Sequence, residues 1–168
     1  MKRYFIMLVV IVCSFILQST VFQTLALSDI VPNLLIIITV SVGYMRGQKE
    51  AMCIGLTCGL LYDCIFGEYI GLYSMFFLTV GFLIGYSNLL YYKANYVVFG
   101  VLVAVGDFIY NFLCYICCFL FRGRFHFLFY LKRIIIPEMI YTILVSLQFY
   151  RFLQWLNEKI EHMEKKEG

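Results

Sequence analysis

Two carboxylates, Asp63 and Asp107, lie inside apolar runs that carry no other charge. If those runs are helices in lipid, a carboxylate at a helix centre costs about 2.5–3.5 kcal/mol. It is kept only where it faces protein or a wet cavity, and it is by default a candidate for function. One chemistry open to it is structural: each Asp joins helices by hydrogen bonds to Asn111, Tyr62 or backbone. The other is contact with a ligand or a partner. Asp63 stands near the end of its run, and Asp107 near the middle of its own.

Small residues surround both. Ala51, Gly55, Gly59, Asp63 and Gly67 recur at every fourth position. Ser74, Gly81, Gly85 and Asn88 share one helical face. Gly100, Ala104, Asp107, Asn111, Cys114 and Cys118 step by fours and threes. The Gly55-x-x-x-Gly59 and Gly81-x-x-x-Gly85 spacings let helix backbones approach closely, which is how spans associate in lipid. Gly67 and Gly71 bracket a tight connection. The residues expected to pack helices or shape a partner surface are therefore Gly55, Gly59, Asp63, Gly67, Gly71, Gly81, Gly85, Asp107 and Asn111.

Other chemistries fit less well. Cys114-x-x-Cys117-Cys118 has ligand-like spacing, but it lies in mid-helix with no second Cys or His pair. All seven cysteines fall inside apolar runs, where a thiol behaves as a small hydrophobe. His126 and His162 gather no ligands around them. No metal or cofactor is expected. Tyr62-Asp63 and Ala104-Val105-Gly106-Asp107 resemble the Tyr-Asp and Gly-x-Gly-Asp pairs of intramembrane aspartyl proteases, whose carboxylates share a proton and activate water. Here Ala104 replaces the first glycine, another helix intervenes, the two Asp sit at different depths, and no Pro-Ala-Leu motif follows.

The elements that hold these residues follow from composition. Of 168 residues, 63% are hydrophobic and 14% charged, against roughly 25% charged in a soluble domain. That is too little polar surface to coat a globule. In lipid every backbone polar group must be paired internally, so spans are helices or a closed barrel. Barrel strands alternate apolar and polar residues, whereas this chain has continuous apolar runs. The expected fold is all-α: a polytopic integral membrane protein, a bundle of six transmembrane helices.

The runs are about 4–27, 31–45, 51–66, 71–92, 96–121 and 134–156. They form a single transmembrane domain, 1–156, followed by a short charged tail, 157–168, read as a solvated helix end. A span needs roughly 17–25 residues. Runs two and three fall short, so they are expected to extend into their flanks, tilt little or sit in thinned bilayer. Re-entry without crossing is the alternative. Asp29 with Pro32, and Pro137 with Glu138, mark helix starts. Short loops make neighbouring helices antiparallel. Lys2 and Arg3 precede an apolar run without a small-x-small cleavage site, which reads as an uncleaved first helix. Val12 is too bulky for Cys13 to be a lipid attachment site.

Lys and Arg set the orientation. With the N-terminus in the cytoplasm and six crossings, nine basic residues lie inside: Lys2, Arg3, Arg46, Lys49, Lys93, Arg151, Lys159, Lys165 and Lys166. Four lie outside, all in one loop: Arg122, Arg124, Lys132 and Arg133. Both termini are expected inside. The basic outer loop conflicts with the rule; aromatics of Phe125 to Leu131 lying along the outer interface are one account of it.

The stretch Gly55-x-x-x-Gly59-Leu60-Leu61-Tyr62-Asp63, then Gly67, then Gly71-Leu72-Tyr73, resembles the rod shape-determining protein MreD family. Pro32-Asn33-Leu34-Leu35 opening the second helix, Arg46-Gly47 before the third and Pro137-Glu138 opening the last fit it as well. Asn33 stands where an acidic residue is common in that family. The resemblance covers nearly the whole chain in length, span count and order. It implies a non-enzymatic protein of the bacterial cytoplasmic (inner) membrane. It implies MreC as direct partner and, in a wider machine, MreB filaments, RodA and a class B penicillin-binding protein. That machine inserts side-wall peptidoglycan and sets rod shape. Lipid surrounds the bundle, and no nucleic acid is involved. The family fold is thought similar to the substrate-binding membrane subunits of energy-coupling-factor transporters. A vitamin-binding subunit is accordingly the alternative function, with an outer-facing pocket near Asp63 and Phe125.

Overall fold

The computed structural model describes residues 2–24, 31–67, 70–90, 95–117, 129 and 131–167. Among them are six α-helices and no strand: α1 Lys2–Thr24, α2 Leu34–Arg46, α3 Gln48–Phe66, α4 Leu72–Gly85, α5 Tyr96–Tyr115 and α6 Ile136–Glu167. A 3-10 turn, Tyr86–Leu90, follows α4, and a π turn, Leu131–Ile135, leads into α6. Asp29, Arg122, Arg124, Phe125, His126 and Cys118 lie outside the described residues.

The outer surface departs from that of a soluble domain. Large apolar side chains face outward on every helix but α2, among them Phe5, Ile16, Leu60, Phe82, Val101, Leu144 and Trp155. Polar groups face inward: Asp63, Asp107, Asn111, Thr39, Ser74, Thr142 and Ser146 are all buried. An apolar coat of this extent, over a largely apolar core that also holds these polar groups, suits hydrocarbon and would be costly in water. Among the described residues, two stretches are long and apolar enough to cross a membrane: Tyr96–Tyr115 and Leu131–Ile160. Tyr4–Thr20, Leu34–Arg46 and Leu72–Asn88 are apolar but shorter.

The short second run has a physical answer. Every residue of α2 from Leu34 to Tyr44 is buried, and α2 touches all five other helices. At 13 residues it is about 20 Å long, less than the roughly 30 Å of a hydrocarbon core. Enclosed by protein, it has no need to match lipid. Its ends are closed by side chains from elsewhere. Leu34 N donates to Gln18 Oε1 of α1 at 2.9 Å, and Asn33 N to Thr142 Oγ1 of α6 at 3.2 Å. Asn33 Oδ1 accepts from Ile36 N at 3.3 Å, so Asn33 is the cap and Pro32 lies outside the first turn. At the other end Asn88 Nδ2 donates to Tyr44 O at 2.9 Å. Arg46 bonds Asn157 of α6 and pairs with Glu50 of α3 at 3.5 Å. The Gln18, Asn33, Thr142 and Asn88 contacts meet backbone groups of the kind any helix end leaves orphaned, while those of Arg46 tie its side chain to α3 and α6.

Other boundaries shift modestly. The α-helical part of α4 stops at Gly85, where the chain tightens into the 3-10 turn that brings Asn88 onto the end of α2. The last helix continues past the apolar run, through the charged stretch to Glu167.

Candidate functional site

α3 and α4 form the tightest pair, and glycine is the reason. A Cβ on Gly59 would stand 2.3 Å from Ser74 Cα, and one on Gly85 2.3 Å from Gln48 Cα. A Cβ on Gly55 would meet Phe77 O, and one on Gly81 would meet Ala51 O, each at 2.6 Å. The two backbones are in van der Waals contact along the whole pair, which only a hydrogen side chain permits.

At the end of this pair the chain reverses through Gly67 and Gly71. Gly71 has φ +104, a left-handed conformation that side chains other than hydrogen resist. It occupies the N-cap position of α4 and brings no capping side chain. Asp63, on the preceding helix, supplies what is missing. Its Oδ2 accepts from Gly71 N at 3.0 Å, from Ser74 N at 2.9 Å and from Ser74 Oγ; its Oδ1 accepts from Tyr73 N at 3.0 Å. One buried carboxylate thus caps the next helix from outside it. The negative charge also sits at the positive end of the α4 dipole. Gly67 N closes α3 on Asp63 O at 3.0 Å. Aromatic rings brace this end: Tyr62 lies 4.9 Å from Tyr73, and Phe77 5.1 Å from Tyr110, between ring centroids. The Tyr62 and Tyr110 side chains are hydrogen-bonded to each other.

Asp107 differs. It is fully buried on α5, but among the described residues neither carboxylate oxygen has a hydrogen-bond partner. The expected bond from Asn111 goes elsewhere: Asn111 Nδ2 donates to the Asp107 backbone carbonyl at 3.1 Å. The same side chain hydrogen-bonds Glu138 on α6. Sequence reasoning passed over Glu138 as a mere helix-start residue, although it stands inside the apolar run Ile134 to Ile140. The two Asp residues therefore engage different partners, Asp63 the start of α4 and Asp107 the charge of Glu138. An aspartyl-protease dyad is not assembled.

The cysteines are scattered. Cys58 is buried and bonded to Thr39, Cys13, Cys53 and Cys64 face outward, and Cys114 and Cys117 are half-buried. Among the described residues no group of His, Cys, Asp and Glu could hold a metal ion.

A helical bundle with an apolar coat, glycine-locked helices and carboxylates inside belongs to the class of multi-span integral membrane proteins. Within that class the chain belongs to the MreD family: the model for rod shape-determining protein MreD matches residues 1–160. No curated protein and no solved structure matches the chain.

Proposed function

We propose that the chain is the multi-span membrane component of the rod-shape complex. In this reading it partners MreC in the bacterial cytoplasmic membrane and, through MreC, MreB, RodA and a class B penicillin-binding protein. It crosses six times with both termini in the cytoplasm, and it supports side-wall peptidoglycan synthesis. The observation that carries this reading beyond family membership is the Asp63 clamp. It fixes the α3–α4 turn at the end of the bundle away from Tyr4, Arg46 and Asn157. On the proposed topology that end faces outward, where MreC has its main domain. Ile70, 84% exposed at the tip, is the side chain such a turn would offer.

The test uses a rod-shaped host that depends on this protein. Ile70→Ser touches no clamp bond, so it should leave membrane levels unchanged while recovering less MreC on pull-down and rounding the cells. Rods with MreC fully bound, in both Ile70→Ser and Asp63→Leu cells, would move the partner surface away from this turn. Alkaline phosphatase fused after Gly168 should be inactive; strong activity would exclude the proposed topology.

A further inference from the structure

Asp107 presents two buried acceptor oxygens with no donor among the described residues. Asn111, one turn along, reaches both the Asp107 carbonyl and the Glu138 carboxyl, so the two acids of α5 and α6 are drawn to one place. Among the described residues, the titratable groups around them are Tyr62 from α3, Tyr73 from α4, and Tyr110 and Cys114 from α5. None of these is basic. Two carboxylates this close in a low-dielectric interior do not both ionise, and orphaned buried acceptors are themselves unfavourable.

We propose that Asp107 and Glu138 form a proton-binding site inside the bundle, holding one proton between two carboxyl groups. A proton taken from the aqueous phase forms an O–H bond on Asp107, and that O–H donates to the Glu138 carboxylate. One step provides the donor that the orphaned oxygens lack and removes one of the two negative charges. Glu138 keeps the remaining charge because it stands in the first turn of α6, where the helix dipole favours an anion. Glu138 is also the less buried member of the pair. The contact between α5 and α6 then depends on pH. This inference is independent of the partnership with MreC.

The experiment uses the full chain in vesicles of phosphatidylethanolamine and phosphatidylglycerol. Infrared spectra at neutral pH should contain a carboxylic-acid carbonyl band that disappears in Asp107→Asn, a near-isosteric change whose folding is checked by thermal melting. Dicyclohexylcarbodiimide, which attacks protonated carboxyl groups in apolar surroundings, should label Asp107 or Glu138 on peptide mass analysis. Labelling should fall several-fold as pH is raised and in Asp107→Asn. A wild-type spectrum without the acid band, or one unchanged in Asp107→Asn, overturns the proposal. So does labelling suppressed by sodium or lithium at constant pH, which would make the pair an alkali-cation site.

Discussion

Asp63 and Asp107 are the same residue type, each one the lone charge of an apolar run, yet their surroundings are opposite. Asp63 accepts from three backbone N–H groups and one hydroxyl. Asp107 accepts from none of the described groups. The helices around them differ in the same sense. α3 and α4 meet backbone to backbone through Gly55, Gly59, Gly81 and Gly85. α5 and α6 meet through side chains, such as Tyr150 against Phe99 at 4.6 Å and against Tyr96 at 4.8 Å. Burial alone therefore does not say what an intramembrane carboxylate does. Where backbone donors converge on it, it is a structural cap. Where they do not, it must find a proton, an ion or a partner.

The largest effect should come from breaking the tight half. Gly59→Leu places a side chain where even a Cβ stands 2.3 Å from Ser74 Cα. Backbone, unlike a flexible side-chain end, cannot step aside, so the cost should reach or exceed the top of the usual overpacking range of about 1–3 kcal/mol. Gly85→Leu should behave alike because Gln48 Cα is equally near. Thermal melting in detergent and membrane levels measure this. Two variants that melt like the parent would mean that α3 and α4 do not pack on these faces.

Next come amide and apolar swaps at the two acids, which set one region directly against the other. Asp63→Leu leaves the N–H groups of Gly71, Tyr73 and Ser74 without their acceptor, at about 1–3 kcal/mol in all, since only the Ser74 bond is fully buried. Asp63→Asn keeps one oxygen but turns an NH₂ toward a donor. It should cost less than Leu, about 1–2 kcal/mol. Asp107→Asn should be nearly neutral, because its NH₂ can donate to Glu138 as the proposed Asp107 O–H does. Melting temperatures of the three variants are the measurement. Equal losses for Asp63→Asn and Asp107→Asn would erase the distinction drawn between the two sites.

Much of this was legible beforehand. The every-fourth spacing of Ala51, Gly55, Gly59 and Asp63 is a local periodicity, and it locates the face that meets α4. The bonds of Asp63 were not legible. They exist because the Gly67–Gly71 reversal carries the start of α4 back over the end of α3, which is a tertiary event. The closure of α2 was hidden for the same reason. Gln18, Asn88, Thr142 and Asn157 are single polar residues in separate segments, and nothing near them in sequence marks their shared target. The shortness of α2 was visible and puzzling; only its complete enclosure explains it. Glu138 was misjudged because Pro-Glu is ordinary at a helix start, while its apolar flanks, Ile134 to Ile136 and Met139 to Ile140, were the neglected signal.

The smallest expected effect tests the looser half. Gly100 belongs to the same kind of small-residue stripe as Gly59, and sequence gives no reason to treat them differently. In the structure a Cβ on Gly100 meets, among the described residues, only Leu147 Cδ2 at 3.7 Å, an ordinary contact with the end of a flexible side chain. Nothing in the packing therefore requires glycine there. Gly100→Ala should be tolerated and, through helix propensity and the lower freedom of the unfolded chain, should stabilise by about 0.4–1 kcal/mol. Gly59→Ala, made beside it, should destabilise, since its Cβ meets backbone. A clear loss of melting temperature in Gly100→Ala would show that α5 and α6 approach more closely than their side-chain contacts imply. The contrast between the two helix pairs would then be one of degree.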